Sequence, residues 1–167
     1  MIPNLFSKLP IPGKIPAGLE RAVRDLKRKN RTKESFLRAT FDFLRQKYTL
    51  SRMKVILEFP ELFKTDLEYL WRRTGHLHCT NVNYLLRVML VKSGLFKDSD
   101  IKPMNTNTWF VMPHQYLRVD VTDKNAKAGG ARKEIDVDIS TYDFGIPYGS
   151  HAGGLRCGSL FPKRDNR

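Results

Sequence analysis

The sequence predicts an α+β fold in which helices come first along the chain and strands follow. Apolar residues recur at helical spacing in several segments between residues 18 and 93. Between residues 116 and 139, two segments instead alternate apolar and polar residues, which is typical of strands. Because the two patterns occupy separate parts of the chain, we expect helices beside a small antiparallel sheet, not a parallel sheet with alternating helices.

Two basic amphipathic helices are predicted near the N-terminus. Residues 1–17 contain four prolines and are expected to be extended. The first helix follows over residues 18–30, and Thr32 is a suitable N-cap for the second helix. Their apolar stripes consist of Leu19, Ala22, Val23 and Leu26 in the first helix and of Phe36, Ala39, Phe43 and Leu44 in the second.

Shorter elements are predicted between these helices and the strands. Residues 51–59 favour a short helix that ends near a proline, and residues 62–73 favour a longer helix. Residues 98–108 are polar and are expected to form a loop. Residues 108–112 are expected to form a short strand that stops at the proline that follows.

Cys79 lies at the predicted start of an apolar helix. Thr80 and Asn81 are capping-type residues, and the helix is expected to end near Gly94. A helix N-terminus favours a thiolate, and so does a neighbouring imidazole. Cys79 is therefore a candidate nucleophile, although a small buried residue on a helix is the plainer interpretation of a single cysteine. The apolar residues of this helix are Val82, Leu85, Leu86, Met89 and Leu90.

Two strands carry candidate partners for this thiol. Residues 116–122 and 135–139 are predicted to pair in an antiparallel hairpin, because a glycine-containing linker joins them. His114 shares the parity of the polar face of the first strand, and Asp136 and Asp138 form the polar face of the second. Since His114 is far from the turn, we expect Asp138 to lie closer to it than Asp136 does. An ordinary amphipathic hairpin with solvated acids is the alternative.

The order of these motifs resembles that of the transglutaminase-like superfamily, a group related to papain. The matching features are Cys79 at a helix start, His114 before a strand, and Asp138 within a later strand. A segment after the last strand, residues 142–152, also resembles the corresponding loop of some members, and the resemblance covers residues 62–155. It implies a papain/transglutaminase-like core, with the nucleophile helix packed on a small antiparallel sheet. A basic helical arm would precede this core.

The resemblance also implies a chemistry, namely thiol-dependent acyl transfer or amide hydrolysis of the transglutaminase, deamidase or protease type. Cys79 would attack the carbonyl of a protein or peptide amide, His114 would move the proton, and Asp138 would orient the ring. The backbone N–H of Cys79 is expected to donate to the oxyanion. No cofactor is implied, and the acceptor, water or an amine, stays open. Candidates for the second oxyanion donor are Trp71, His76 and His78.

A zinc site is the competing chemistry for the same histidines. Sulfur and imidazole ligands suit zinc, but the spacing of these residues is not one of the common paired-ligand spacings. We therefore predict no metal site. The residues concerned are His76, His78, Cys79, His114 and His151.

The charge of the chain points to a second class of function. The formal net charge is +13, and residues 14–54 hold 13 Lys and Arg against four acids. Such a local excess favours a polyanion or an acidic partner. The alternative function is therefore a non-catalytic module that binds nucleic acid or an acidic protein through the basic arm, such as a subunit of a ribonucleoprotein assembly. A solvated helix face without a partner is the third interpretation.

The sequence also predicts domain organisation and location. We expect an N-terminal segment with the basic arm over residues 1–60, the core over residues 61–155 and a basic tail over residues 156–167. The two cysteines do not form a disulfide framework, and no apolar run has membrane-spanning length. Residues 1–17 also lack the apolar region of a secretory signal. We therefore expect an intracellular, cytoplasmic protein. Organellar import and the oligomeric state stay open.

Overall fold

The computed structural model describes residues 8–109, 112–122 and 132–159, and it combines helices with a small sheet. This combination is compatible with the predicted α+β class. The helices are α1 (Ala17–Lys29), α2 (Lys33–Lys47), α3 (Arg52–Leu57), α4 (Leu67–Arg72) and α5 (Cys79–Lys92). The strands are β1 (Tyr48–Thr49), β2 (Gly75–His76), β3 (Ile101–Thr108), β4 (Met112–Asp120) and β5 (Glu134–Val137), and there are 3-10 turns at Phe59–Phe63, Asp98–Asp100 and Tyr142–Phe144.

Helix α5 lies at the centre of the molecule. Its side chains are buried on every side of the helix from Thr80 to Leu90. A helix that is buried all round must be covered by several elements, and here α1, α2, α4 and β4 all contact it. This surrounding structure fixes the position of the first residue of the helix, Cys79.

The two basic helices are packed against α5. Thr32 caps α2 in a reciprocal arrangement with Ser35, as the sequence predicted for this threonine. Helices α1 and α2, which the sequence analysis assigns to an N-terminal arm, share one hydrophobic core with α5 and the sheet. The side chains they contribute to this core include Leu19, Val23, Phe36, Leu37, Phe41 and Leu44.

The sheet has the order β3–β4–β5 and is antiparallel throughout. The β3–β4 register runs from Ile101 opposite Val119 to Thr108 opposite Met112, and Leu117 lies opposite Val137 in the β4–β5 pair. One face of the sheet contributes Leu117, Val119 and Val137 to the core. Because side chains alternate along a strand, His114 and Asp136 belong to the other face, as predicted.

Two predicted elements near residue 108 are wrong. The segment predicted as a loop over residues 98–108 forms a 3-10 turn and the whole of β3. The short strand predicted at residues 108–112 does not form as one element, because Thr108 ends β3, Trp109 lies in a turn and Met112 begins β4; residues 110 and 111 lie outside the described residues. Strand β3 lies at the edge of the sheet. An edge position tolerates Pro103 and several polar residues, which is why the segment has little strand character in its sequence.

The helix predicted over residues 62–73 is interrupted. Only Leu67–Arg72 is α-helical, because the carboxylate of Asp66 accepts a hydrogen bond from the backbone N–H of Tyr69 (2.7 Å) and begins a new helix there. The glycines of the predicted turn, Gly129 and Gly130, lie outside the described residues. In the described ranges, no helix is long and apolar enough to cross a membrane.

Candidate active site

Cys79 is the first residue of the 14-residue helix α5 and is half-buried. The first N–H groups of a helix have no carbonyl within the helix to donate to. They give the N-terminus a partial positive charge, and Cys79 lies at this end of α5. His78 precedes the helix, and its carbonyl accepts from the N–H groups of Asn81 (3.0 Å) and Val82 (3.1 Å). This arrangement stabilises negative charge beside the Cys79 backbone, whether on the thiolate or on an oxyanion.

His114 and Asp138 form a buried pair next to Cys79. The Nε2–H group of His114 donates to Asp138 Oδ2 at 2.7 Å, and both side chains are buried. Two backbone N–H groups also donate to this carboxylate, those of Thr141 (3.3 Å) and Ala152 (3.0 Å). The segment that follows β5 therefore fixes the acid, and the acid fixes the ring.

The imidazole of His114 and the thiol of Cys79 are close enough to interact, and both side chains line the same cavity. Since Nε2 is engaged by Asp138, Nδ1 is the ring nitrogen left for the sulfur. Burial lowers the pKa of His114, but the charge of Asp138, its hydrogen bond with the ring and the interaction with Cys79 outweigh it and raise this pKa well above 6.5. A raised pKa favours the protonated ring, which is the form that stabilises a thiolate.

The charge state of Asp138 complements that of the ring. Burial raises the pKa of the Asp138 carboxyl group, whereas the charge of His114, its hydrogen bond and the backbone donors lower it, and the net shift is downward. The carboxylate stays ionised although it is buried. A buried ion pair of this kind holds one tautomer and one orientation of the imidazole.

Asp136, the rejected alternative to Asp138, has a different set of partners. Its carboxylate accepts from Arg118 at 2.7 and 3.1 Å and pairs with His151 Nδ1 at 3.0 Å. The His151 ring stacks on Tyr116, with 4.0 Å between the ring centroids. The polar face of the sheet thus continues from the catalytic-type pair into a surface cluster that does not include Cys79.

A cavity of about 290 Å³ lies against the Cys79 and His114 side chains. Most of its wall is apolar. The wall residues come from α3 and the turn after it, from the end of β3 and the start of β4, from the turn near residue 144, and from Cys157. The apolar wall includes Val55, Phe59, Leu62, Trp109, Met112 and Phe144. A substrate carbonyl at Cys79 would therefore have an apolar compartment beside it.

Trp109 has a strained backbone at the mouth of this cavity. Its φ of 53° lies in the left-handed region, which non-glycine residues rarely adopt. The conformation is held by the Trp109 N–H, which lies 2.9 Å from Gly154 O and 3.3 Å from Cys157 Sγ. Strain of this kind costs on the order of 1–3 kcal/mol and is found preferentially at functional sites.

The three candidates for the second oxyanion donor, His76, His78 and Trp71, have different surroundings. His78 lines the cavity, but its Nε2 lies 2.9 Å from Glu58 O and is engaged there. His76 Nδ1 accepts from the Ser51 N–H (3.2 Å), and the Trp71 ring stacks on Phe43. Neither His76 nor Trp71 is among the described residues that line the cavity.

Metal binding was the competing interpretation of the histidines. Within the described part of the chain, no three His, Cys, Asp or Glu side chains are grouped so that they can hold a metal ion. Two of the five residues considered, Cys79 and His114, lie beside each other at the cavity, and His151 pairs with Asp136.

Several residues of the site were not found in the sequence. Trp109 and Met112 lie at the end of β3 and the start of β4, in a segment that was predicted as one short strand. Ala152 acts through its backbone N–H, which the residue type does not reveal. The resemblance of residues 142–152 to a loop that follows the catalytic strand was the one signal for this segment. Cys157 also lies on the cavity wall, and its thiol donates to Gly154 O (2.8 Å).

A second site, the basic groove, lies between α1 and the end of α5. It has a volume of about 650 Å³ and is lined by five cationic side chains, one acid and two other residues. Among the described residues, its four α1-side cations form no ion pair, and Lys92 donates to Gly13 O at 2.7 Å. The five cations are Arg24, Lys27, Arg28, Arg31 and Lys92, and the acid is Glu20.

Comparison of the chain with models of known protein families, with curated proteins and with solved structures gives no match.

Proposed function

We propose that this protein is a thiol-dependent acyltransferase or amidohydrolase with a papain/transglutaminase-like core and a Cys79–His114–Asp138 triad. One observation carries the proposal: a half-buried thiol at a helix start lies beside a buried imidazole, and this imidazole is hydrogen bonded to a buried carboxylate. These three groups have the geometric roles of nucleophile, base and orienting acid. A cavity beside the thiol provides room for a substrate.

The reaction begins with proton transfer from the Cys79 thiol to His114. The sulfur then attacks the carbonyl carbon of an amide or ester, a C–S bond forms, and the oxygen takes up the negative charge. The Cys79 backbone N–H at the helix start is in position to donate to this oxyanion. When the C–N or C–O bond breaks, His114 gives its proton to the leaving amine or alcohol, and a thioester on Cys79 remains.

The acceptor determines the product of the second step. Water attacks the thioester carbonyl and gives a proton to His114, the C–S bond breaks and the acid is released. His114 returns the proton to the Cys79 sulfur, so that the overall reaction is hydrolysis or deamidation. A primary amine in the same position forms an amide, so that the overall reaction is acyl transfer or crosslinking. Asp138 keeps the imidazole oriented through both steps.

Turnover of an activated ester tests this proposal. We expect the wild-type protein to hydrolyse p-nitrophenyl butyrate and, with glycine methyl ester present, to form the amide as well. The Cys79→Ala variant should lose at least about 10³-fold in kcat, because the nucleophile is gone. Circular dichroism checks that the variant folds. If wild type and Cys79→Ala release p-nitrophenol at the same rate, the triad is not catalytic.

Binding of a polyanion is a second candidate function, supported by the basic groove. Four unpaired cations on one side of α1 and the loop after it create a strong positive potential in a concave surface. Phosphate groups spaced along a nucleic acid are the ligands that such a surface favours. The two functions use different surfaces, so they are compatible.

A further inference from the structure

We propose that the cavity beside Cys79 binds the apolar acyl group of the acyl donor, so that the substrate is a carbonyl compound with a bulky hydrophobic group. The inference extends the proposed function, because it names what lies next to the carbonyl that Cys79 attacks.

The wall of the cavity offers few polar groups to a substrate. The His78 ring is bonded to Glu58 O, the Thr108 hydroxyl donates to Met112 O (3.3 Å), and His114 is bonded to Asp138. Among the described residues of the wall, the buried hydroxyl of Thr141 has no hydrogen-bond partner. A carboxamide or charged side chain in this space would give up its hydrogen bonds with water and gain few in return. An apolar group gains free energy from the same transfer.

The volume of the cavity sets the size of that group. An engineered protein cavity of about 150 Å³ lined by apolar side chains holds one benzene molecule. The cavity beside Cys79 measures about 290 Å³. By the same measure, it has room for roughly ten to twelve carbon atoms. An acetyl group is much too small to fill it.

The mouth of the cavity is apolar as well. Phe59 is 50% exposed, Trp109 is 41% exposed and Met112 is 38% exposed, and all three line the cavity. Large apolar side chains that are exposed together around an opening mark a surface where an apolar ligand binds. The strained backbone of Trp109 fixes the position of its ring at this opening.

An ester series measures the preference. We expect the kcat/KM of the wild-type protein to rise from p-nitrophenyl acetate to p-nitrophenyl octanoate, by about threefold to fourfold for each buried methylene group. A second pair of substrates, p-nitroanilides of N-blocked phenylalanine and glutamine, distinguishes a peptide source from a fatty acyl source. Phenylalanine should be preferred over glutamine if the acyl group comes from a peptide.

A matched pair of variants on α3 ties the preference to the cavity. Val55 lines the cavity, and its neighbour Ile56 is 75% exposed and is not part of the described wall. Val55→Trp should fill the space and lower kcat/KM for the octanoate ester at least tenfold while sparing the acetate ester. Ile56→Trp, which adds the same ring one residue later, should leave the series unchanged.

A binding measurement separates this inference from the proposed function. Octanamide should bind to Cys79→Ala, measured by tryptophan fluorescence, at least tenfold more tightly than butyramide, and Val55→Trp should abolish the difference. A flat ester series with Cys79-dependent turnover would overturn the acyl-group inference and leave the catalytic proposal intact. Preferential octanamide binding without any turnover would overturn the catalytic proposal and leave the apolar site intact. Equal binding of the two amides would overturn the apolar site.

Discussion

Asp136 in β5 and Asp138 directly after β5 have different chemical environments, although they are only two residues apart. Asp138 is buried with His114 and two backbone N–H donors, whereas Asp136 is engaged by Arg118 and His151 nearer to the surface. The residue that can orient the imidazole is thus set by the partners around each carboxylate. Parity along the strand does not distinguish them.

Replacement of these aspartates by asparagine separates their roles. We expect Asp138→Asn to lower kcat by about 10³- to 10⁴-fold, because an amide does not hold the ring in the required tautomer or stabilise its charge. Asp136→Asn should lower kcat less than about threefold. Ester hydrolysis measures both, with thermal unfolding as the folding control. Equal losses in the two variants would mean that the acid acts through the sheet and not through His114.

The pH dependence of stability reports on the His114–Asp138 pair. The pKa of His114 is raised above 6.5 in the folded protein. The stabilisation that this ring gives the folded state is therefore complete below pH 6.5, and it disappears as the pH rises through the folded-state pKa. The pKa of Asp138 is lowered in the folded protein. The stabilisation that this carboxylate gives the folded state is therefore complete above pH 3.8, and it disappears as the pH falls through the lowered pKa.

Urea unfolding of wild type and of His114→Gln tests this pH dependence of stability. The difference in free energy of unfolding should be about 3 kcal/mol between pH 3.8 and 6.5 and should decrease at higher pH. A difference that grows with rising pH would show that the ring is not held as a cation in the folded protein.

At the level of elements, a buried amide joins the nucleophile helix to the histidine strand. Asn83 lies on α5 one turn after Cys79, and its Nδ2 donates to Gln115 O on β4 at 2.8 Å. Gln115 follows His114 directly. This hydrogen bond therefore fixes the distance between the element that carries the thiol and the element that carries the ring.

Removal of this amide should affect stability and activity together. We expect Asn83→Ala to lose about 1–3 kcal/mol of stability, and kcat to fall by about tenfold or more because the thiol and the imidazole are no longer held together. Tyr48→Phe is the control, since it removes another buried hydrogen bond, to Leu70 O (3.0 Å), that does not join α5 to β4. If both variants lose the same activity at equal stability, Asn83 has no positioning role.

Some elements were predicted correctly from the sequence and others were missed, and both outcomes have physical reasons. Helix α5 was predicted because its apolar residues recur at helical spacing, and the pairing of β4 with β5 because apolar and polar residues alternate along both strands. Strand β3 was missed because an edge strand needs neither strong apolar alternation nor freedom from proline. Asp138 was found from strand parity and the turn, whereas the Ala152 N–H donor and the Trp109 conformation depend on backbone geometry that residue types do not encode.

At the scale of the whole molecule, the positive charge is concentrated away from the apolar cavity. The basic groove is formed by α1, the loop after it and the end of α5, whereas Cys79 begins α5 at its other end. The two sites therefore lie at opposite ends of a helix of 14 residues, about 20 Å apart along its axis. A ligand bound in the groove would not block the cavity.

Charge reversal tests whether the groove binds nucleic acid. We expect Arg24→Glu with Lys27→Glu to weaken binding of a short RNA and to reduce the slope of log Kd against log salt by about two, because two phosphate contacts are lost. Arg21→Glu with Lys29→Glu changes the net charge equally, on the same helix but outside the residues that line the groove. Equal weakening by the two pairs would indicate diffuse attraction without a defined site.

Identification of the covalent intermediate tests the central claim most directly. Wild-type protein mixed with p-nitrophenyl octanoate and quenched in acid should carry one octanoyl group, and peptide mapping by mass spectrometry should place it on the peptide that contains Cys79. His114→Gln should form this thioester at least tenfold more slowly, because the group that accepts the thiol proton is missing. An octanoyl group on Cys157, or labelling of Cys79 at the same rate in wild type and His114→Gln, would contradict the account.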